Sequence, residues 1–405
     1  MARLDSVKCA LAVLGTSVVA MPALSNSLAE VLDSGNTFSD FRLRYENVEQ
    51  DNVLKDASAM TLRSRLGYTT GQGKGHLSGF SATVEFEDVR VVGGQDSFSV
   101  PPAGFKSGRY SAIADSEVTE LDQGFVRYQN SIVTAKVGRQ VIAYDGHRFV
   151  GHVGWRQDRQ TFDSMRLGMV PVENVIMSYS YIDQRNRIFA DAADQDVKDH
   201  LLNTSIATPA GKIVAYAYLL ELGIKMENLL DTYGVSLTGS ADFGSATVLY
   251  ALAYADQKFT MGTFEKDAEY MLAEGGLAVA GLTAKLTYES LGSDNGAYGF
   301  STPLATLHKF NGWADVFLNT PAVGLVDTYA TLSGPLVGGS LSIMYHKFVA
   351  DEKTATRDEL GSELDISYAK KFGKNYSAGI KYASFSAADL VVDADKMWVW
   401  VGVSF

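Results

Sequence analysis

Proline is scarce in this sequence, eight in 405 residues, and cysteine is all but missing, with Cys9 alone. Few prolines leave long stretches free to form paired strands, because proline removes a ladder donor. If the N-terminal segment bearing Cys9 is cut away, no disulfide can brace what remains. No stretch reaches the roughly 20 uncharged apolar residues that a helical membrane span needs. The motifs G-x-S-x-G and H-E-x-x-H are both missing, which leaves no hydrolytic nucleophile or zinc-protease signature. The six histidines, at 76, 147, 152, 200, 308 and 346, are scattered; no catalytic residue, metal site or cofactor is expected. Basic residues are not in excess either. The formal net charge is −12, which argues against nucleic acid as a partner.

What is abundant is aromatic and glycine content, with 20 Tyr, 20 Phe and 38 Gly, a composition of many strands and tight turns. Arg3 and Lys8, the apolar run CALAVLGTSVVA and the small residues around Ala23 to Ala29 make a signal peptide of residues 1–25, cut somewhere in 20–29. Val7 and Lys8 before Cys9 do not form a lipobox. From Thr37 the pattern is alternation: Phe41, Leu43 and Tyr45; then Met60, Leu62, Leu66 and Tyr68; then Phe80, Ala82, Val84 and Phe86. Period two means strands, and eighteen such runs can be marked out to residue 405. The last of them, MWVWVGVSF, carries Met397, Val399, Val401, Val403 and Phe405 on one face up to the terminal residue. An apolar face of that kind needs an apolar partner.

The connections have two lengths. Asn130-Ser131, Pro209-Ala210-Gly211, Ala241-Asp242-Phe243, Gly275-Gly276 and Gly373-Lys374-Asn375 are short turns, whereas 93–117, 184–198, 290–322 and 350–361 are long polar loops. Short turns on one rim and long loops on the other describe an all-β transmembrane antiparallel barrel of about eighteen strands. In hydrocarbon a sheet must close on itself so that every backbone polar group finds a partner. A single domain over 37–405 is expected, with the apolar parity facing lipid. Soluble β-sandwiches also alternate; the signal peptide, the two-length rhythm and tyrosines near strand ends (Tyr45, Tyr68, Tyr128, Tyr254, Tyr288) favour the barrel.

The opposite parity would face the lumen, and early in the chain it is charged: Arg42 and Arg44, then Arg63 and Arg65, then Glu85 and Glu87, with Arg127 and Lys136 following. Four guanidinia beside two carboxylates give the wall a positive excess able to hold anions bidentately. Ladders of this kind also simply neutralise each other and stiffen a barrel wall, and the two roles are compatible. In the second half of the chain Lys285 and Lys381 are the inward cations, opposed by Glu363 and Asp365. One bulge would flip every later residue to the other face.

Two loop regions stand out. GRQVIAYDGHRFVGHVGWRQDRQTFD, 138 to 163, gathers Arg139, Arg148, Arg156 and Arg159 with His147, His152 and Trp155; two histidines five apart without a third ligand make a poor metal site. FSTPLATLHKFNGWADVFLNTP, 300 to 321, holds His308 and Trp313 and is too apolar to wave in water, so it should fold into the pore or pack at its mouth. The aspartate-rich DAADQDVKD, 191–199, lacks the spacing of a known calcium loop and reads as solvated.

GRQ at 138–140, HRFVGHVGWRQDRQTFD at 147–163, TPLATLHKFNGWADVFL at 302–318 and the terminal Phe405 together resemble the alginate export family of Gram-negative outer-membrane porins. The resemblance implies an eighteen-stranded barrel in the outer membrane, with lipid and lipopolysaccharide around it. It implies that Arg42, Arg44, Arg63, Arg65 and Arg127 line the pore. It implies, too, a closing strand ending in Phe405 that engages the barrel-assembly machinery. The few inward cations of the second half favour passive diffusion of small anionic solutes or oligosaccharides; the alternatives are export of an anionic polysaccharide such as alginate, an outer-membrane enzyme, or a structural barrel.

Overall fold

The structure, a computed structural model, describes residues 22–405 apart from 74, 223–227, 355, 356, 389 and 390. Residues 1–21, with the charged and apolar parts of the expected signal peptide, lie outside the described residues. The described chain begins with helix α1 (Pro22–Asp33). The Tyr68 hydroxyl donates to the carbonyl of Leu32, and the amide of Gly71 donates to that of Val31 at 2.9 Å, which ties the end of the helix to the barrel's short-turn rim.

Among the described residues nineteen strands follow. The first nine are β1 (Asn36–Gln50), β2 (Ala57–Thr69), β3 (Phe80–Ser97), β4 (Val118–Gln129), β5 (Val133–Gln140), β6 (Thr161–Met169), β7 (Val175–Asn186), β8 (Ile188–Asp191) and β9 (Gln195–Thr208). The rest are β10 (Gly211–Glu221), β11 (Asn228–Phe243), β12 (Ala246–Met261), β13 (Phe264–Val279), β14 (Leu282–Leu291), β15 (Leu325–Leu336), β16 (Gly339–Thr354), β17 (Arg357–Phe372), β18 (Tyr376–Ala387) and β19 (Ala394–Ser404). All but the short β8 form one antiparallel sheet in which each strand pairs with the next in sequence. The sheet is closed by β1 on β19, with Phe41 opposite Val403 and Leu43 opposite Val401. Past the last strand the seam continues: Phe405 donates its amide to Ser39 at 2.9 Å and accepts from the Ser39 amide at 3.1 Å. The expected eighteen-stranded barrel is therefore what the chain forms, with no open edge.

The facing follows the alternation. Leu66, Phe86, Leu286 and Val401 are 51–62% exposed on the outer wall. Trp398, the neighbour of Val399 on the opposite parity, is fully buried inside. That band is what a bilayer covers.

Four turn and loop positions differ from expectation, the first being 184–198, most of which is strand in β7, β8 and β9. Gly275 and Gly276 lie within β13, and the turn falls at Ala280-Gly281, both with positive φ (50° and 83°). Gly276 is needed for close approach rather than for turning: a Cβ there would meet Lys285 Cγ at 2.8 Å. The turn expected at 241–243 comes at Gly244, φ 68°. Much of 350–361 is strand, since β16 runs to Thr354 and β17 starts at Arg357. These strand ends carry charged residues, so composition made them resemble a loop.

Candidate functional site in the barrel lumen

Two long-rim loops, 141–160 and 292–324, fold inward and fill much of the barrel. They are zipped to each other: Gly151 donates its amide to Leu304 at 2.8 Å, Thr306 to His147 at 3.0 Å, and Val153 to the Thr306 hydroxyl at 3.1 Å. Phe300 and Leu304 are fully buried, and Ala314 and Phe317 nearly so. The expectation that the apolar loop folds into the pore holds.

Most arginines assigned to a free pore lining act instead as anchors for the first loop. Arg42 donates to the carbonyls of Trp155 (2.8 Å) and Arg156 (2.6 Å) and to Gln157 Oε1 (3.0 Å). Arg44 is sealed from solvent against Asp115, Glu46 and the Trp155 carbonyl. Arg63 pairs with Asp40, and Arg65 with Glu87. Glu85 accepts from Gln123 (2.6 Å) and Arg159 (2.7 Å), and Arg159 also holds Asp122. The physical reason is that the loop's backbone carbonyls, brought into a low-dielectric interior, need donors. The guanidinia of strands one and two supply them.

The family-motif residues fall into two groups. Arg139 belongs to β5 and is bidentate with Asp163 across to β6 (2.8 and 3.1 Å). Arg148, Trp155, Arg156, Arg159, His308 and Trp313 all lie in the folded-in loops. Arg156 joins three elements, reaching Glu46 at 3.0 Å and Asp315 at 2.8 Å. The His308 ring is stacked on Trp155 (5.0 Å, 6°) and lies between Asp315 Oδ1 (2.7 Å from Nδ1) and Lys381 Nζ (2.8 Å from Nε2). Lys381 also sits 3.6 Å from the Trp313 ring centroid. With Lys381 as an ammonium, which can only donate, Nε2 accepts and His308 is neutral with its proton on Nδ1, toward Asp315. Burial drives its pKa down to about 3, against the pull of Asp315. Burial alone would raise Asp315, yet His308, Lys396 and Arg156 around it hold the carboxyl well below the usual range. His147 and His152 meet edge to face at 4.8 Å, and burial lowers both, His152 to about 4.

Sequence reasoning missed Glu46, Asp115, Gln157, Asp315, Trp398 and Trp400. The tryptophans lay on the inward parity of the closing strand, and Gln157 and Asp315 inside the quoted loop motifs, so both signals were present. Asp199 of the aspartate-rich stretch is buried in β9 as a bidentate partner of Arg185 (2.7 Å each) rather than solvated.

Two cavities flank the filled centre. Toward the short-turn rim a vestibule of about 660 Å³ is walled by Tyr216, Tyr218, Tyr270, Phe149 and Trp313, with Lys212, Lys285 and Lys309. Toward the long-loop rim a cup of about 330 Å³ is lined by Arg187, Tyr298, Thr302 and Leu318. Arg148, in the vestibule wall, donates to Thr302, in the cup wall, at 3.3 Å, so the walls of the two spaces touch at this contact. Lys136 and Arg166 line a third cavity of about 310 Å³ near the short-turn rim.

A closed eighteen-stranded sheet with an apolar outer band and loops folded into its lumen defines a β-barrel of the outer-membrane porin type. Residues 29–207 match the model of the family described as Alginate export, so the resemblance first drawn from loop motifs holds over that span. None of the curated proteins matches the chain. Among solved structures the barrel is similar to Pseudomonas aeruginosa OpdK with vanillate (12% identity, 93% of this chain and 99% of that one, TM-score 0.73). It is also similar to Pseudomonas aeruginosa OccK3, or OpdO (13%, 94% and 98%, TM-score 0.71), and Acinetobacter baumannii OccAB4 (13%, 92% and 98%, TM-score 0.70).

Proposed function

We propose that the chain is a passive channel for small anionic solutes, carboxylates or uronate-type saccharides, with no chemical step. One observation carries the reading. Arg127, Lys136 and Arg166 are direct cross-strand neighbours on β4, β5 and β6, and among the described residues none of the three forms an ion pair with a carboxylate. The Arg166 guanidinium lies 5.2 Å from the ring of Tyr144, which belongs to the vestibule wall. The row borders the third cavity at the short-turn rim, next to the vestibule wall, so an anion entering from that rim meets three uncompensated positive charges, a field that concentrates it there. Aromatic walls beside lysines suit a flat or ring-shaped carboxylate; OpdK, similar in fold, was crystallised with vanillate, an aromatic carboxylate.

The buried ties across the lumen count against threading of a polysaccharide chain, because Arg156 and Arg148 would have to leave charged partners. The outer band meets outer-membrane lipid and lipopolysaccharide in this reading, β19 with Phe405 is the segment offered to the barrel-assembly machinery, and residues 1–25 are removed as a signal peptide. The test is the reversal potential under a salt gradient in a planar bilayer. Anion preference is expected, falling toward neutrality in the variant with Arg127, Lys136 and Arg166 all changed to Gln. Cation preference in the wild type would overturn the proposal.

A further inference from the structure

Against the inner wall at β3 and β4 the folded-in loop brings its one aspartate between Gly154 and Gln160, Asp158, onto two glutamates. Oxygen atoms of Glu87, Glu120 and Asp158 all lie within 4.8 Å of one another. Glu87 and Glu120 are direct cross-strand partners. The register of β3 on β4 shifts at this point: Glu85 pairs with Gln123 and Phe86 with Leu121, which leaves Asp122 over as a bulge and sets Glu120 beside Glu87.

Two atoms of this cluster have no partner. Glu87 gives one oxygen to Arg65, but its buried Oε1 accepts nothing; Asp158 accepts the Ala190 amide through Oδ2 at 3.3 Å, while its buried Oδ1 accepts nothing. Both side chains are at least 99% buried. An unpaired buried carboxylate oxygen costs free energy that only a proton or a cation can remove. Charge points to a cation. Five carboxylates meet here, Glu85, Glu87, Glu120, Asp122 and Asp158, against the two guanidinia of Arg65 and Arg159 that contact them. That leaves three negative charges. Arg139, the next cation, is bidentate with Asp163.

We propose that Glu87, Glu120 and Asp158 bind a divalent cation, calcium by its chemistry, which fastens the 141–160 loop to the barrel wall. The donors are all hard oxygens, with no nitrogen or sulfur among them, the set that selects calcium or magnesium over zinc or copper. Two ligand oxygens on opposite sides of a calcium ion stand about 4.6–5.2 Å apart, from Ca–O distances of about 2.3–2.6 Å, so the spacing leaves room for the ion. The ion would close the same loop that Arg42, Arg44 and Arg65 hold from the other side.

The test uses the mature barrel refolded in non-ionic detergent, free of lipopolysaccharide and stripped with chelator, titrated calorimetrically with calcium chloride at neutral pH. One ion per barrel is expected, with affinity at least about tenfold weaker in D158N and in E120Q. E265Q, which alters a distant exposed pair with Lys258, serves as the control and should bind like the wild type. Calcium should raise the melting temperature of the wild type and leave that of D158N unmoved. Folding of each variant is read from heat-modifiable gel mobility, and either variant alone suffices. No saturable binding by the wild type up to about 10 mM, beyond the weak end of known calcium modules, would overturn the proposal. So would binding that D158N and E120Q leave unchanged, which would place the ion elsewhere. Since the site sits apart from the Arg127–Lys136–Arg166 row, failure here leaves the anion-channel reading standing.

Discussion

Arg156 and Asp315, 159 residues apart in the chain, form a buried ion pair at 2.8 Å that joins the two loops inside the barrel. Arg156 also holds Glu46 of the first strand at 3.0 Å, and Asp315 also faces Lys396 of the last at 3.4 Å. The pair is thus tied to the seam where the barrel closes. Removing one member leaves buried charge uncompensated, which costs more than the pair itself contributes.

Asp315→Asn should therefore lower the unfolding free energy by about 3–5 kcal/mol, measured by urea unfolding of the folded barrel in micelles. The same variant removes the charged tie between the loops and the seam, so single-channel records should become noisier at unchanged polarity preference. A stability change under about 1 kcal/mol, the scale of an exposed pair, would show that the loops are held elsewhere.

His308 sets an acid limit. Its folded pKa, about 3, lies below the 6.5 of an unconstrained histidine, so between those values the unfolded chain takes up a proton that the folded one refuses. Stability must fall as pH drops through that window, by up to about 1.4 kcal/mol per pH unit from this one group. His308→Gln removes the titration, and its stability profile between pH 6.5 and 4 should be flatter than that of the wild type. Parallel profiles would mean that His308 is charged in the folded barrel, contrary to the Lys381 contact.

The barrel was legible in the sequence because its two signals, period-two alternation and the length of connections, are local. Phe405, Val401 and Val399 could be assigned to lipid from nine residues. The lumen was not legible to the same degree. Which acceptors Arg42 and Arg44 would meet depends on a loop more than 110 residues away, and no spacing rule reaches that far. Phase was also lost at bulges: counted back from Arg127, strict alternation turns Glu120 outward, and the extra residue Asp122 turns it in. Composition misled at 350–361, where exposed strand ends look like loop. What did carry through was the identity of the loop motifs, because Arg148, Trp155, Arg156, His308 and Trp313 are all used inside.

The outer wall gives a test of facing that does not involve the lumen. Leu286 on β14 is 62% exposed on the lipid side. Leu286→Arg should cost about 2–4 kcal/mol if it lies near the bilayer midplane, read from unfolding in lipid vesicles. The neighbouring inward Lys285→Arg keeps its charge opposite Glu274, and should change stability by less than about 1 kcal/mol. Equal costs at the two positions would mean that the strand's phase is wrong.

A direct route between the vestibule and the cup would run past the contact between Arg148 and Thr302. Arg148 is buried there, holding Glu289 at 2.6 Å and Asn311 at 3.3 Å while its guanidinium faces the rings of Phe310 and Tyr270. Changing Arg148 alone strands the Glu289 carboxylate, so the informative variant is the double one, Arg148→Gln with Glu289→Gln, which shortens the side chain and leaves no unpaired charge. If the cup and the vestibule communicate at this point, unitary conductance should rise in the double variant while reversal potential stays near the wild-type value, because the Arg127–Lys136–Arg166 row is untouched. Unchanged conductance with normal folding would place the route for solute elsewhere in the lumen. A reversal potential that shifts as far as in the triple Gln variant would instead move the selectivity filter from the row to Arg148 itself.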